Sequence, residues 1–246
     1  PLCLVGSEMC IRDRSRSISN PTSLAVVSIK NGFPSYSFHR NDTAERKVNL
    51  ENLLDILPIN AKIFHVGSLG LIEGQDAEVW EKFFKICKQK GLITSLDPNV
   101  RPILIQDRKN YIKRLERMFF DVDILKLSNE DLQWIYPSKS LDQSFEILQS
   151  KTKAQLLILT LGEEGSIGKT SNFEVKISSK KISDLRDTVG AGDTYMASIL
   201  NWFVDHKIYN INLVKNLKKP DLSSMMDKAS IACLLYTSPS PRDTEV

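Results

Sequence analysis

The chain has 246 residues, 41% of them hydrophobic, which is enough for one large domain with a buried core and too few for two. Its 33 Lys and Arg against 30 Asp and Glu give a formal charge of +3, and the densest basic runs (Lys85, Lys88, Lys90; Lys215, Lys218, Lys219) sit beside apolar residues at helical spacing, as solvated faces do, so no nucleic-acid partner is expected. No apolar run approaches the roughly 18 residues that span a bilayer and no basic flank leads into a long apolar segment, so no membrane partner is expected and the cytoplasm is the expected compartment.

From residue 21 onward, β-rich runs alternate with amphipathic helices. "SLAVVSI" (23–29) and "PSYSFHR" (34–40) bracket Asn31-Gly32, a strong hairpin signal. "AKIFHVGSLGL" then predicts a strand, 75–90 a helix, "LITSLDPN" a strand, 108–120 a helix, "DILKLS" a strand, and two short helices reach about residue 150. "AQLLILTLG" is a continuous apolar run, as in a strand buried on both faces, and a helix follows Gly192. This alternation predicts an α/β fold, a mostly parallel sheet covered by helices on both faces. In such sheets ligands sit beyond the carboxyl ends of the strands. The segments there are Gly67-Ser68, Asp97 to Arg101, Ser128 to Asp131, Gly162 to Gly165 and Asp187 to Asp193, all polar or glycine-rich.

Both ends look foreign to this pattern. A DNA sequence that encodes Val5 to Asp13 encodes Cys233 to Pro241 on its opposite strand, and it resembles a transposase adapter of sequencing libraries. Residues 1–14 and 233–246 are therefore expected to be adapter-derived, leaving 15–232 as a partial domain with a lid remnant at about 21–45. Cys87 is then the cysteine that belongs securely to the natural chain, and its helical apolar neighbours Trp80, Phe83 and Phe84 read as a buried structural thiol. His39, His65 and His206 have no ligand spacing and predict no transition-metal site. Trp80, Trp134 and Trp202 lie at apolar helical spacing and read as core.

"RDTVGAGDTYMASIL" (186–200) carries the clearest chemistry. A Gly-Ala-Gly turn feeding a helix leaves converging N–H groups at the positive end of the macrodipole, a seat for an anion. Asp193, the next residue, would repel that anion unless it accepts a proton; the alternative is a tight turn with Asp193 as a helix cap.

Asp187 to Asp193 match in full the D-T-x-G-A-G-D signature of the ribokinase-like (PfkB) carbohydrate kinases, and the resemblance extends from about Pro21 to Cys233. It implies the ribokinase-like three-layer sandwich, with ATP and Mg2+ as cofactors and K+ as a further candidate. Asp193 would be the base that takes the proton from a sugar hydroxyl, and Gly190, Ala191 and Gly192 the anion hole. Asp187 and the Val189 carbonyl match positions that in many members bind a monovalent cation. "TLGEEGS" resembles the family's T-x-G-x-x-G, which assigns Thr160, Gly162 and Gly165 to the nucleotide. "LKLSNEDL" resembles the segment near the magnesium-bound phosphates, departing from N-x-x-E with Ser128 and Asp131; Lys126 and Ser128 are grouped with the nucleotide and Asp131 with Mg2+, through water. "SLDPNVRP" resembles the segment facing substrate and transferred phosphate, which points to Asp97, Asn99 and Arg101, the alternative being an Asx turn with Arg101 in a surface ion pair. "PTSLAVVSI" with "PSYSFHRNDTAERK" is similar to the fructokinase branch, with His39 for the usual Tyr and Glu45 for the usual Asp. Phe38 and Arg40 are its candidate sugar contacts, unless Phe38 only packs.

The resemblance thus implies an ATP-dependent kinase acting on a primary hydroxyl of a small sugar, fructose first, with a possible homodimer formed through the lid. A 2-keto-3-deoxygluconate kinase, a nucleoside kinase and a non-catalytic regulator of the same fold stay open. Family members begin with a strand and a glycine-rich sugar segment ahead of the P-T-x-L-A region, and "KASIAC" looks like the start of their penultimate helix. The chain as written is therefore expected to be inactive.

Overall fold

The strands of the main sheet follow one another in sequence order, and their two-residue period decides which helices cover which face. The computed structural model describes residues 18–30, 33–180 and 189–237. Strands β1 (Leu24–Lys30) and β2 (Phe33–His39) form a separate antiparallel ribbon in which Leu24 faces His39 and Lys30 faces Phe33. The Asn31-Gly32 turn between them lies outside the described residues.

Among the described residues one 6-stranded sheet follows, in the order β3 (Ile63–Gly67), β4 (Ile93–Asp97), β5 (Ile124–Ser128), β6 (Leu156–Thr160), β7 (Ser166–Lys169) and β8 (Glu174–Ile177). β3 to β6 run parallel, and β7 and β8 turn back antiparallel. The antiparallel pair was not expected: "SIGK" and "EVKI" are short and half polar, as suits a sheet margin. β3 is also shorter than "AKIFHVGSLGL", because Ser68 takes a left-handed φ of 50° and residues 68–71 turn as a 3-10 segment.

The helices are α1 (Leu50–Ile56), α2 (Gly74–Gln89), α3 (Arg108–Asp121), α4 (Asn129–Ile135), α5 (Leu141–Lys151), α6 (Ala191–Asp205), α7 (Ile211–Lys215) and α8 (Lys219–Thr237). Polar caps set several starts. Asn49 accepts from the Asn52 N–H at 2.8 Å and Asp107 from the Asn110 N–H at 3.0 Å. Ser128 and Ser140 open α4 and α5 with capping boxes completed by Asp131 and Gln143. α8 starts at Lys219, well before "KASIAC", and continues through Cys233 to Thr237.

The sheet is covered on both sides, the sandwich that the sequence implies. Ile93, Ile124, Leu156 and Ile158 form one core with Met196, Ile199 and Phe203 of α6 and Leu222 and Met225 of α8. Leu96, Leu125, Leu127 and Leu157 point the other way and share a core with Leu115 and Phe119 of α3, Leu132 of α4 and Leu148 of α5. Leu53 of α1 packs with Phe83 and Cys87 on the flank of α2. Cys87 is fully buried, and burial pushes its thiol up to about 11, as befits an inert structural thiol.

Phe119 has no exposed surface and anchors α3 to the sheet. Phe119→Ala should lower stability by about 3–5 kcal/mol, read as a shifted urea midpoint with an unchanged slope.

Candidate active site

The apolar rows that hold α6 become polar at the carboxyl ends of the strands. On β3, β4 and β5 the residues two places beyond Ile63, Ile93 and Ile124 are His65, Ser95 and Lys126, on the same face by the strand period, and Asp97 follows Ser95. His65 Nδ1 lies 3.0 Å from Ser95 Oγ. Lys126 Nζ donates to Asp97 Oδ2 at 2.7 Å, with both side chains at most 5% exposed. The first turn of α6 lies over this row: a β-carbon built on Gly192 would stand 3.2 Å from Lys126 Nζ.

Burial pushes the Asp97 carboxyl up from the ordinary range, Lys126 pulls it down, and the charge of Asp193 adds to the rise. His65 is held below its ordinary value by burial and then by Lys126, with Asp193 opposing.

The turn after β4 is strained and braced. Gly67 is required there because a β-carbon would fall 1.9 Å from the Asp97 carbonyl oxygen. Ser68 and Asn99 both adopt left-handed backbone, with φ of 50° and 41°, and the Ser68 N–H donates to the Pro98 carbonyl at 3.1 Å. Arg101 folds back onto the turn, donating through Nη1 to Asn99 Oδ1 and, at 3.2 Å, to the Val100 carbonyl. Asp131 braces the turn from α4: its Oδ1 accepts the Val100 N–H at 2.7 Å and its Oδ2 the Ser128 N–H at 3.2 Å. Burial, and then the charge of Asp97, push the Asp131 carboxyl up.

The end of β2 closes the opposite wall. Arg40 donates to Glu45 Oε1 at 2.6 Å and to the Leu69 carbonyl at 3.0 Å, and its guanidinium lies 4.0 Å from Asp76. Arg46 donates to Asp76 at 3.0 Å and to the Glu73 carbonyl at 3.1 Å. Between these walls lies a cleft of about 470 Å³ whose lining includes Arg40, Glu45, His65, Asp76, Trp80, Asp97, Asn99 and Asp193. A larger groove of about 610 Å³ lies between α2 and α3, away from the strand ends, and its Arg114 and Arg117 both pair with Glu81.

On the α6 side the glycines shape the backbone. Gly190 opens α6 with φ 82°, leaving Asp193 in the first turn. After β6, Gly162 and Gly165 take φ of 59° and 104°, and a β-carbon on Gly165 would meet the Ile177 carbonyl at 2.0 Å. Ser166 Oγ and Tyr195 Oη, 2.9 Å apart, tie β7 to α6. The glycine loop after β6 and the glycine turn before α6 thus flank one end of the sheet.

Of the residues expected from the sequence, the structure brings Asp193, Asp97, Asn99 and Arg40 into one cleft. Arg101 is absent from its lining and is spent on its own turn. Lys126 is 3% exposed and sits beneath the first turn of α6. Ser128 and Asp131 form a capping box, and Thr160 Oγ1 reaches the Leu127 carbonyl at 3.4 Å. Phe38 is half-buried on β2 opposite Ala25. Val189 is described and exposed; Asp187 lies outside the described residues. Sequence reasoning missed His65, Asp76 and the role of Glu45 as the Arg40 partner, and it took Trp80 as core where the ring also walls the cleft. A first-turn acid such as Asp76 carries no distinguishing signal, whereas the strand period places His65 on the Lys126 face.

This fold and site define an α/β protein with a glycine turn at a helix N-terminus opening onto a polar cleft. Residues 13–213 match the family described as pfkB family carbohydrate kinase. The chain belongs to that family. It is 32% identical over 225 residues to the fructokinase of Rhizobium leguminosarum bv. trifolii, with 90% of this chain and 63% of that protein covered. It superimposes on the Xylella fastidiosa fructokinase with bound ATP at a TM-score of 0.79 and 23% identity, covering 93% of this chain and 71% of that one. The Vibrio cholerae O395 fructokinase in its fructose, ADP and calcium form superimposes at 0.74 and 22%, with 93% and 71% covered. The chain spans less than two thirds of the curated relatives, 63% of the Rhizobium protein and 56% of the probable fructokinase-2 of Arabidopsis thaliana.

Two measurements follow from the charge row. Asp97→Asn strands the Lys126 ammonium and should cost about 3–5 kcal/mol by urea unfolding, most of it recovered by adding Lys126→Met. Because the folded His65 titrates below its unfolded value, the unfolded chain binds the extra proton and stability falls as pH drops through about 6.5; His65→Gln should flatten that limb.

Proposed function

We propose that residues 15–232 are the central part of an ATP-dependent sugar kinase that phosphorylates a primary hydroxyl, with fructose as the sugar. The observation that carries this reading is the position of Asp193, which stands in the first turn of α6 beside the Gly190 turn and lines the same cleft as Asp97, Asn99 and Arg40. A carboxylate at a phosphate seat is costly to binding and useful to proton transfer. The sugar lies between the end of β2 and the turn after β4, with its hydroxyls on Asp97, Asn99 and Arg40. Asp193 accepts the proton of the attacking hydroxyl, and the N–H groups of Gly190, Ala191 and Gly192 steady the transferred charge.

The nucleotide fits on the other side of Asp193, along the loop where Gly162 and Gly165 hold left-handed backbone. Bound ATP would supply the phosphoryl group and Mg2+ the neutralisation of its charge. Both oxygens of Asp131 accept backbone N–H groups, so Asp131 would reach a magnesium ion through water, and the ion would neutralise phosphate charge there. K+ at Asp187 and the Val189 carbonyl is part of the same proposal. Leu24 and Val26 share one exposed face of the β1–β2 ribbon, and we place a homodimer contact there. No helix among the described residues is long and apolar enough to cross a membrane, and the proposed compartment is the cytoplasm.

The test is ADP release by the gene product carrying its natural ends, assayed with fructose, 2-keto-3-deoxygluconate, ribose and adenosine. Asp193→Asn should lower turnover on the accepted sugar by about a hundredfold or more while nucleotide affinity stays nearly intact. Unchanged turnover would remove Asp193 from the mechanism, and nucleotide binding without turnover on any acceptor would favour a regulator.

A further inference from the structure

The proposed phosphoryl-transfer cleft is poor in positive charge. Its lining holds four carboxylates, Glu45, Asp76, Asp97 and Asp193, and the cation among its described residues is Arg40. Arg40 is already engaged by Glu45 and the Leu69 carbonyl, and Asp76 is held by Arg46. Asp97 and Asp193 are left at the α6 end, close enough that Asp193 helps to push the Asp97 carboxyl up. A phosphate arriving at the glycine turn meets like charge on its cleft side.

The balancing charge lies underneath. Lys126 rises from β5 on the α6 face, donates to Asp97 at 2.7 Å, and brings Nζ to within 3.2 Å of the β-carbon position of Gly192. The groups that sense or face it are Asp97 from β4, His65 from β3, Gly192 from α6 and Cys233 from α8, while β6 sets the apolar Ile158 beside it and Asp193 acts on the same Asp97 and His65. Its 3% exposure keeps it from the open cleft, so it acts on a bound phosphate through the turn rather than by contact. A charge held in this water-poor place acts more strongly than one in solvent and needs no reorganisation.

We propose that Lys126 is a positioning residue whose ammonium, pinned by Asp97, is the fixed positive charge beneath the Gly190–Asp193 turn that lets a transferred phosphoryl group rest against a carboxylate-lined cleft. The proposal rests on the kinase reading. It accounts for a buried carboxylate and a buried cation meeting at this strand end, with the ammonium 3.2 Å from the β-carbon position of Gly192.

The test compares Lys126→Met with Asp97→Asn/Lys126→Met, a folding control that leaves no buried charge unpaired, in the gene product with its natural ends. The readouts are kcat, the sugar KM of the single variant, and affinity for ADP with aluminium fluoride, a mimic of the transferred group, against ADP alone. We expect kcat to fall about a hundredfold in both variants and the aluminium fluoride complex to weaken by a similar factor, with ADP affinity and the single variant's sugar KM changed less than about threefold. A kcat within about threefold of the unsubstituted protein in either folded variant overturns the proposal. So does a loss confined to the sugar KM, which would make Lys126 a prop for Asp97. If the unsubstituted protein phosphorylates no sugar, the kinase reading fails on its own. Titration of inorganic phosphate against the Gly190 and Gly192 amide resonances then decides Lys126: affinity about tenfold weaker in Lys126→Met supports it, and equal affinity overturns it.

Discussion

The buried pair of Lys126 and Asp97 is the contact on which the geometry of this site depends. Taking both charges out of water costs several kcal/mol each, and their attraction repays this only where the geometry is good. A pair of apolar residues would serve the sheet as well or better. That the charges occur at the carboxyl ends of β4 and β5, on the face that carries α6, therefore points to a task at that end. Two residues before Asp97 on the same face is Ser95, with His65 level with it on β3, so the change from apolar to polar follows the helix: core along its length, polar groups at its first turn.

The turn after β4 is the second constraint, and it is built by residues whose roles are mostly internal. Asn99 and Ser68 both hold left-handed backbone at a total cost on the order of a few kcal/mol, which persists because neighbours over-determine it. Asp131 takes N–H groups from both sides of the junction, Arg101 folds over the turn, and Gly67 lets the Asp97 carbonyl approach β3. The motif "SLDPNVRP" is thus partly a scaffold that aims Asp97 and Asn99 into the cleft. Mutating Arg101 or Asp131 would disturb a cleft that neither residue lines.

The layers and the site's address were legible in the sequence because each rests on a local rule. Short β-rich apolar runs placed β3 to β5 and a continuous apolar run placed β6, while Asp193 after Gly190 to Gly192 marked the start of α6. What was not legible depends on partners far along the chain. Ser128 and Asp131 announce a helix start, yet only the fold shows that Asp131 also reaches the Val100 N–H. Arg40 was read as a sugar contact, and the fold shows it shared with Glu45 and the Leu69 carbonyl. β7 and β8 escaped notice because four residues of mixed polarity carry no period long enough to read.

Placed side by side, the two walls of the site divide its labour. The wall formed by the end of β2, residues 68–76 and the turn after β4 is rich in acceptors, which suits hydroxyl groups and repels phosphate. The other wall is glycine turn and helix N-terminus, which offers donors and little else. Asp193 stands where they meet, a carboxylate in the first turn of α6. On the proposed kinase reading, a residue that must face a hydroxyl and a phosphate at once can occupy only that border, and a cation placed in the cleft beside it would compete with a hydroxylated substrate for the same acceptors. Support from below, through the turn, leaves both walls free.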